Sequence, residues 1–207
     1  ASDGTIGNGY TSQLFWSNGA SFGPIIHYVV EGGLTIPTPV YQPRELVYHN
    51  GLVYMGAEPK LITGERHGEI FSTNGSTATK RTDMDFSSWP RIIHFDDANQ
   101  QVYFVASYGS TLPPQAPAGT LAGEHLWVVD SAFATTPVRL TNEFNADPYG
   151  YSQGSGASSF ADLNGTLFFS AFSDLAGEEL WTTDGTAAGT GVFMDINPGT
   201  ASANTGT

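Results

Sequence analysis

The chain has 207 residues, with 25 glycines, 12 prolines and no cysteine, and a formal charge of −13 from 7 Lys and Arg against 20 Asp and Glu. That charge argues against electrostatic binding to nucleic acid or to an anionic membrane, which both require clustered cations, and the missing thiols exclude a disulfide framework or a thiolate metal site. Aromatic residues reach 13%, enough to bury a core, so the glycine-rich and charge-poor composition points to short strands and tight turns rather than disorder. No apolar run approaches the roughly 18 residues of a membrane-spanning helix.

In chain order, SQLFWSN at 12–18 and PIIHYV at 24–29 read as two strands around the Asn18-Gly19 turn. VYHNG at 47–51 and LVYMGA at 52–57 meet at Asn50-Gly51. They are followed by GEIFSTNGS around Phe71, with its Asn74-Gly75 turn, and by TKRTDM at 79–84. The same grammar returns in HFDDAN at 94–99, VYFVAS at 102–107, EHLWVVDSA around Trp127 and PVRLT at 137–141. It returns again in ADLNG at 161–165, TLFFSAF at 166–172, EELWTTDGT around Trp181 and GVFMDI at 191–196, with turns at Asn164-Gly165 and Asp184-Gly185. Asn-Gly is a strong short hairpin signal because both residues tolerate positive φ. We label the four strands of each copy A to D; no segment reads as a helix.

The aromatic anchors at 15, 71, 127 and 181 are 56, 56 and 54 residues apart. A regular step of this size marks stacked or radially arranged units. Four antiparallel strands per step predict an all-β fold, a β-propeller of four-stranded blades. A two-sheet sandwich would not need the anchor to recur. The expected division is a half blade (strands C and D) at 1–29, blades at 43–84, 90–141 and 158–196, and a tail at 197–207. About three and a half blades do not close a ring, so the chain is expected to be a segment of a longer propeller. A four-bladed ring with a degenerate first blade, or two chains sharing one ring, are the alternatives.

The last copy resembles a bacterial repeat family whose units read roughly NG-x-LFF…GxELWxTDGTxxGTxxVxDINPG. The matching residues are Asn164-Gly165, Leu167-Phe168-Phe169, Glu179-Leu180-Trp181, Thr183-Asp184-Gly185-Thr186, Gly189-Thr190 and Asp195-Ile196-Asn197-Pro198-Gly199. The other copies depart from it: Asp184 is replaced by Asn18, Asn74 and Ser131, and DINPG has no upstream counterpart. The resemblance implies a large exported protein at the cell surface, in the periplasm or outside the cell, and no defined chemistry.

The C–D turns carry one carboxylate, Asp184, where calcium needs six to eight oxygens, so they read as structural turns built by Asn18, Gly19, Asn74, Gly75, Asp184 and Gly185. Calcium is possible there but not indicated, and no other cofactor is expected. Arg44 and Arg91 each follow a proline at equivalent positions and read as rim or capping residues, with Ser158-Ser159 in their place in the last blade. The five histidines show no H-x-x-H or H-E-x-x-H spacing, so no zinc site is suggested, and His49 and His94 read as equivalent ends of strand A. Glu178 and Glu179 point to opposite sheet faces and cannot act together as acid and base. No catalytic residue is nominated.

The B–C and D–A connections are long and variable and emerge together, so binding residues should concentrate there. Trp89, Tyr108, Tyr149 and Tyr151 are the candidate contacts. The expected function is a non-enzymatic binding or assembly module for a protein or glycan. The alternative is a carbohydrate-active hydrolase or lyase with carboxylates at the propeller channel. Expected partners are another subunit, or further sequence of the same chain, at the open edge of strand C, with no nucleic acid and no membrane insertion.

Overall fold

A computed structural model describes residues 13–31, 34–59, 68–84, 89–108, 123–142 and 154–203. Strands β1 (Phe15–Ser17) and β2 (Phe22–Pro24) form a hairpin. A five-stranded antiparallel sheet follows, in the order β3 (Ile26–Glu31), β4 (Leu34–His49), β5 (Leu52–Pro59), β6 (Glu69–Thr73) and β7 (Ala78–Lys80). Next comes a four-stranded sheet of β8 (Arg91–Asp96), β9 (Gln101–Tyr108), β10 (Gly123–Asp130) and β11 (Val138–Arg139). The last sheet is β12 (Ser158–Leu163), β13 (Thr166–Ser173), β14 (Gly177–Thr183) and β15 (Gly191–Met194). No helix occurs among the described residues, and the described sheets do not close a ring.

Turn chemistry sets the hairpins. Asn50 and Asn164 have φ of 46° and 54°, and their following glycines 82° and 79°, the left-handed pair that matches strand twist in a two-residue hairpin. At the C–D turns, Asn18 Oδ1 accepts from the Ala20 and Ser21 amides at 3.0 and 2.8 Å. Asn74 Oδ1 likewise accepts from the Ser76 amide (3.2 Å), and Asp184 Oδ1 from the Thr186 amide and hydroxyl (2.9 and 2.7 Å). The hydroxyls of Ser17, Thr73 and Thr183 receive the amides of Gly19, Gly75 and Gly185 in the same way.

In the β10–β11 turn the equivalent residue is Asp130, not the expected Ser131. Asp130 lies three residues after Trp127, as Asp184 lies three after Trp181. Its carboxylate accepts from the Ala132, Ala134 and Thr135 amides and the Thr135 hydroxyl. These bonds, the Thr135 hydroxyl foremost, hold its pKa below the ordinary carboxylate value. The Thr186 hydroxyl does the same for Asp184.

The strand expected at 24–29 is divided. Phe22–Pro24 pairs with β1, after which the chain turns so that Ile26–Glu31 pairs with Leu34–Pro39, the first part of a long β4. An isolated parallel bridge from Ile26 to Thr77 brings β3 beside β7. The edge of β1 expected to lie open is met at its start by the chain itself: Leu14 donates to the Val40 carbonyl at 3.2 Å, and Gln13 bridges Tyr41.

The apolar core is divided into seams between successive sheets. One seam joins Leu14, Trp16 and Ile25 of the first unit to Val40, Met55 and Phe71. The second joins Tyr54, Ile70 and Met84 to Val102, Phe104 and Trp127. The third joins Tyr103, Leu126 and Val128 to Leu167, Phe169 and Trp181. Each aromatic anchor therefore packs against the sheet that precedes its own. Strands β6 and most of β10 are buried on both faces, as sandwiched strands must be. Phe15 departs from this pattern. It is 52% exposed, and its neighbours Leu14 and Trp16 make the contact with the core.

Candidate functional site

The connections between B and C and between D and A leave the sheets at one end. Strand β4 is broken there by register shifts on both sides of Arg44, with Gln42 and Glu45 at φ of 48° and 47°. Such bulges bend a strand and re-aim its side chains, and they leave Arg44 and Glu45 exposed. The bulge recurs in β12, where Ser159 has φ of 54° between Ser158 and Ala161. Arg44 lies opposite Gly56, Arg91 opposite Val105 and Ser158 opposite Ser170. The three positions are thus equivalent in the repeat, Gly56, Val105 and Ser170 each following the residue paired with an anchor.

The second sheet enters against the first at this end. Gly56 lies so close to Pro90 that a Cβ there would stand 1.7 Å from the Pro90 carbonyl oxygen. Only glycine allows that backbone approach. The approach sets Trp89 beside Arg44, whose guanidinium carbon lies 4.7 Å from the indole ring centroid, within cation–π range. Arg91 then reaches Glu124 at 2.8 Å and Glu45 at 3.8 Å. The result is a half-exposed cluster of Arg44, Trp89, Arg91, Glu45 and Glu124. Two of the chain's seven basic residues meet in it, within a strongly acidic molecule.

The opposite end carries the short turns and is rich in carboxylates. His49 stacks on Phe95 with centroids 4.0 Å apart and meets Asp97 at 3.1 Å. His94 lies 3.6 Å from Asp162. The two histidines do not occupy equivalent places, because His49 is opposite Leu52 beside the turn whereas His94 is opposite Tyr103, two positions deeper. Burial, with Asp96, Asp184 and Asp162 nearby, raises the Tyr103 phenol above its ordinary pKa, so it stays protonated and donates to Gln101 Oε1 at 2.7 Å. No group of three or more His, Asp or Glu side chains placed to hold a metal occurs among the described residues.

Two further carboxylates are internal ties. Glu69 accepts from the Thr82 hydroxyl at 2.6 Å and the Met84 amide at 2.8 Å, and Glu179 from the Ile196 and Asn197 amides at 2.8 and 3.3 Å. Each lies two residues before an anchor and clasps the end of strand D to strand C. Glu178 is half-buried on the other face and receives the Ser170 hydroxyl at 2.6 Å.

Of the four residues expected to make contacts, Trp89 lies in the cluster. Tyr108 closes β9 opposite Gly123, and only its backbone is described. Tyr149 and Tyr151 lie outside the described residues. The turn residues Asn18, Gly19, Asn74, Gly75, Asp184 and Gly185 all lie in C–D turns, remote from this cluster. Sequence reasoning missed Glu45 and Glu124. Nothing local marks them, because Glu124 meets Arg91 across 33 residues of chain.

Neither family models nor curated proteins produce a match to this chain.

Proposed function

We propose that this chain is a non-enzymatic propeller-type binding or assembly module that engages a glycan or peptide segment through the end bearing Arg44 and Trp89. Its similarity in residues 164–200 to the ELWxTDGT repeats favours an exported protein at the cell surface or in the periplasm, with its four-stranded sheets as blades. The observation that carries the reading is the cluster itself. An arginine stacked on a tryptophan offers a flat apolar surface beside hydrogen-bond donors, the combination found at binding hot spots. The two nearby carboxylates, Glu45 and Glu124, are both paired with Arg91, which occupies the space beside them. A glycosidase needs a paired acid and base or nucleophile across an open gap, so this arrangement favours binding over hydrolysis.

The test is retention on a panel of immobilised polysaccharides and envelope glycopeptides, with released reducing ends assayed in parallel. Retention of the wild type, its loss in Trp89→Ala and Arg44→Ala, and no new reducing ends are expected. Equal retention of all three proteins, or no retention at all, would remove the site. New reducing ends would favour a hydrolase.

A further inference from the structure

The repeat leaves a specific mismatch at the two ends of the stack. Within it, the anchor face of each sheet covers the opposite face of the sheet before it. In β10 both faces are buried over Leu126, Trp127, Val128 and Val129. In β14 burial alternates instead, with Glu179, Trp181 and Thr183 buried and Glu178, Leu180 and Thr182 half-exposed. The uncovered face of the last sheet carries Phe168 and Leu180, which correspond in register to Tyr103 and Leu126, both fully covered by the following sheet. Met194 lies opposite Leu180 and is 52% exposed; Phe193 packs edge-on against Phe168 at 5.2 Å and is 54% exposed.

The other end is uncovered in the opposite phase. In β1 and β2 it is the anchor face that is open: Phe15, opposite Pro24, and Phe22, opposite Ser17, share one side, with ring centroids 6.4 Å apart. Phe22 is 77% exposed. Trp16 and Gly23, on the other side, are half-buried. That Phe15 holds the anchor register follows from a recurring backbone bond: Leu14 accepts from Ile25 as Ile70 accepts from Arg81 and Leu126 from Leu140. Among the described residues, one end thus presents an anchor face with no sheet in front of it, the other a receiving face with no anchor upon it. Both are exposed, so neither covers the other within one chain.

We infer that these two faces bind each other between copies: the Phe15–Phe22 hairpin of one chain docks on the Phe168–Leu180–Phe193 face of a second, head to tail. This contact repeats the rule of the internal seams, aromatic anchor against an apolar sheet face. Being heterologous, it leaves one free face of each kind in a dimer, so growth continues until a ring closes. The inference does not depend on the glycan or peptide site at the long-loop end.

Light scattering coupled to size exclusion, on the full chain, tests it with two variants, Phe15→Asp and Leu180→Asp. Both residues are at least partly exposed, and circular dichroism checks that each variant keeps the wild-type fold. The wild type is expected to run as two or more chains, in a concentration-dependent way, and each variant alone as a single chain. Mixing the two variants should give a 1:1 dimer and nothing larger, because one intact anchor face and one intact receiving face remain. A wild type that is a single chain at every concentration overturns the inference. So does an oligomer that survives in either variant, or a mixture that stays monomeric.

Discussion

Trp181 and Phe15 occupy the same position of the repeat and meet opposite surroundings. Trp181 is 4% exposed within the third seam, whereas Phe15 is 52% exposed. Trp181→Ala should therefore destabilise the protein by about 3–5 kcal/mol, through lost transfer energy and the cavity left behind. Phe15→Ala should stay within about 0.5 kcal/mol in monomeric protein, as surface changes do. Chemical denaturation of both variants at low protein concentration measures the difference; equal costs would mean that the two positions are not distinguished by a covering sheet. The aromatic spacing was legible in the sequence, since 56, 56 and 54 residues separate the anchors. Their burial was not, because it depends on whether a sheet stands in front of each one. The turn at Asp130 is not legible locally, because VVDSA lacks the glycine that marks the other C–D turns, and only its spacing from Trp127 identifies it.

At the scale of the element, the carboxylate clasp between strands C and D is the feature hidden from the sequence. Glu69 and its partners Thr82 and Met84 lie 13 and 15 residues apart, and no short motif announces them. Burial dominates the electrostatics there, and raises the Glu69 pKa from 4.5 to about 7 against the opposing effect of the Thr82 hydroxyl. A carboxyl that holds its proton more tightly when folded stabilises the fold fully below its unfolded pKa. That contribution fades as the pH rises from about 4.5 through about 7. Glu69→Gln cannot ionise, so in urea unfolding across pH 4 to 8 the variant should lack this part of the decline that the wild type shows. Parallel curves for the two proteins would show that Glu69 is not held protonated. Hairpins closed by Asn-Gly were legible because the turn itself demands those residues. The split of the expected strand at 24–29 was not, since it is decided by competition between β1 and β4 for the same stretch of backbone.

At the scale of the molecule, each seam is shared by two successive units, and none of the three core clusters draws on three. Cooperativity then runs from neighbour to neighbour, as in other stacked architectures. Hydrogen exchange under native conditions should be slowest in β5, β6, β9 and β10, which have a seam on each side, and fastest in β1, β2 and β15. Uniform protection across all strands would instead mean one undivided cooperative core. The four-strand grammar of each unit was legible because alternation and turn residues are local. The order in which faces meet was not, because both faces of an inner strand are apolar and either one satisfies the same pattern.

The close approach of Gly56 to the Pro90 carbonyl carries a different consequence. At that point the first sheet keeps a notch free of side chain, and the second sheet enters through it backbone first. A single methyl group would close the notch and push Trp89 and Arg91 out of place, although neither residue would have changed. The tolerance of the long-loop end to variation is thus set partly at a glycine that no ligand would touch. A survey of random substitutions for loss of the proposed recognition should turn up Gly56 beside Arg44 and Trp89.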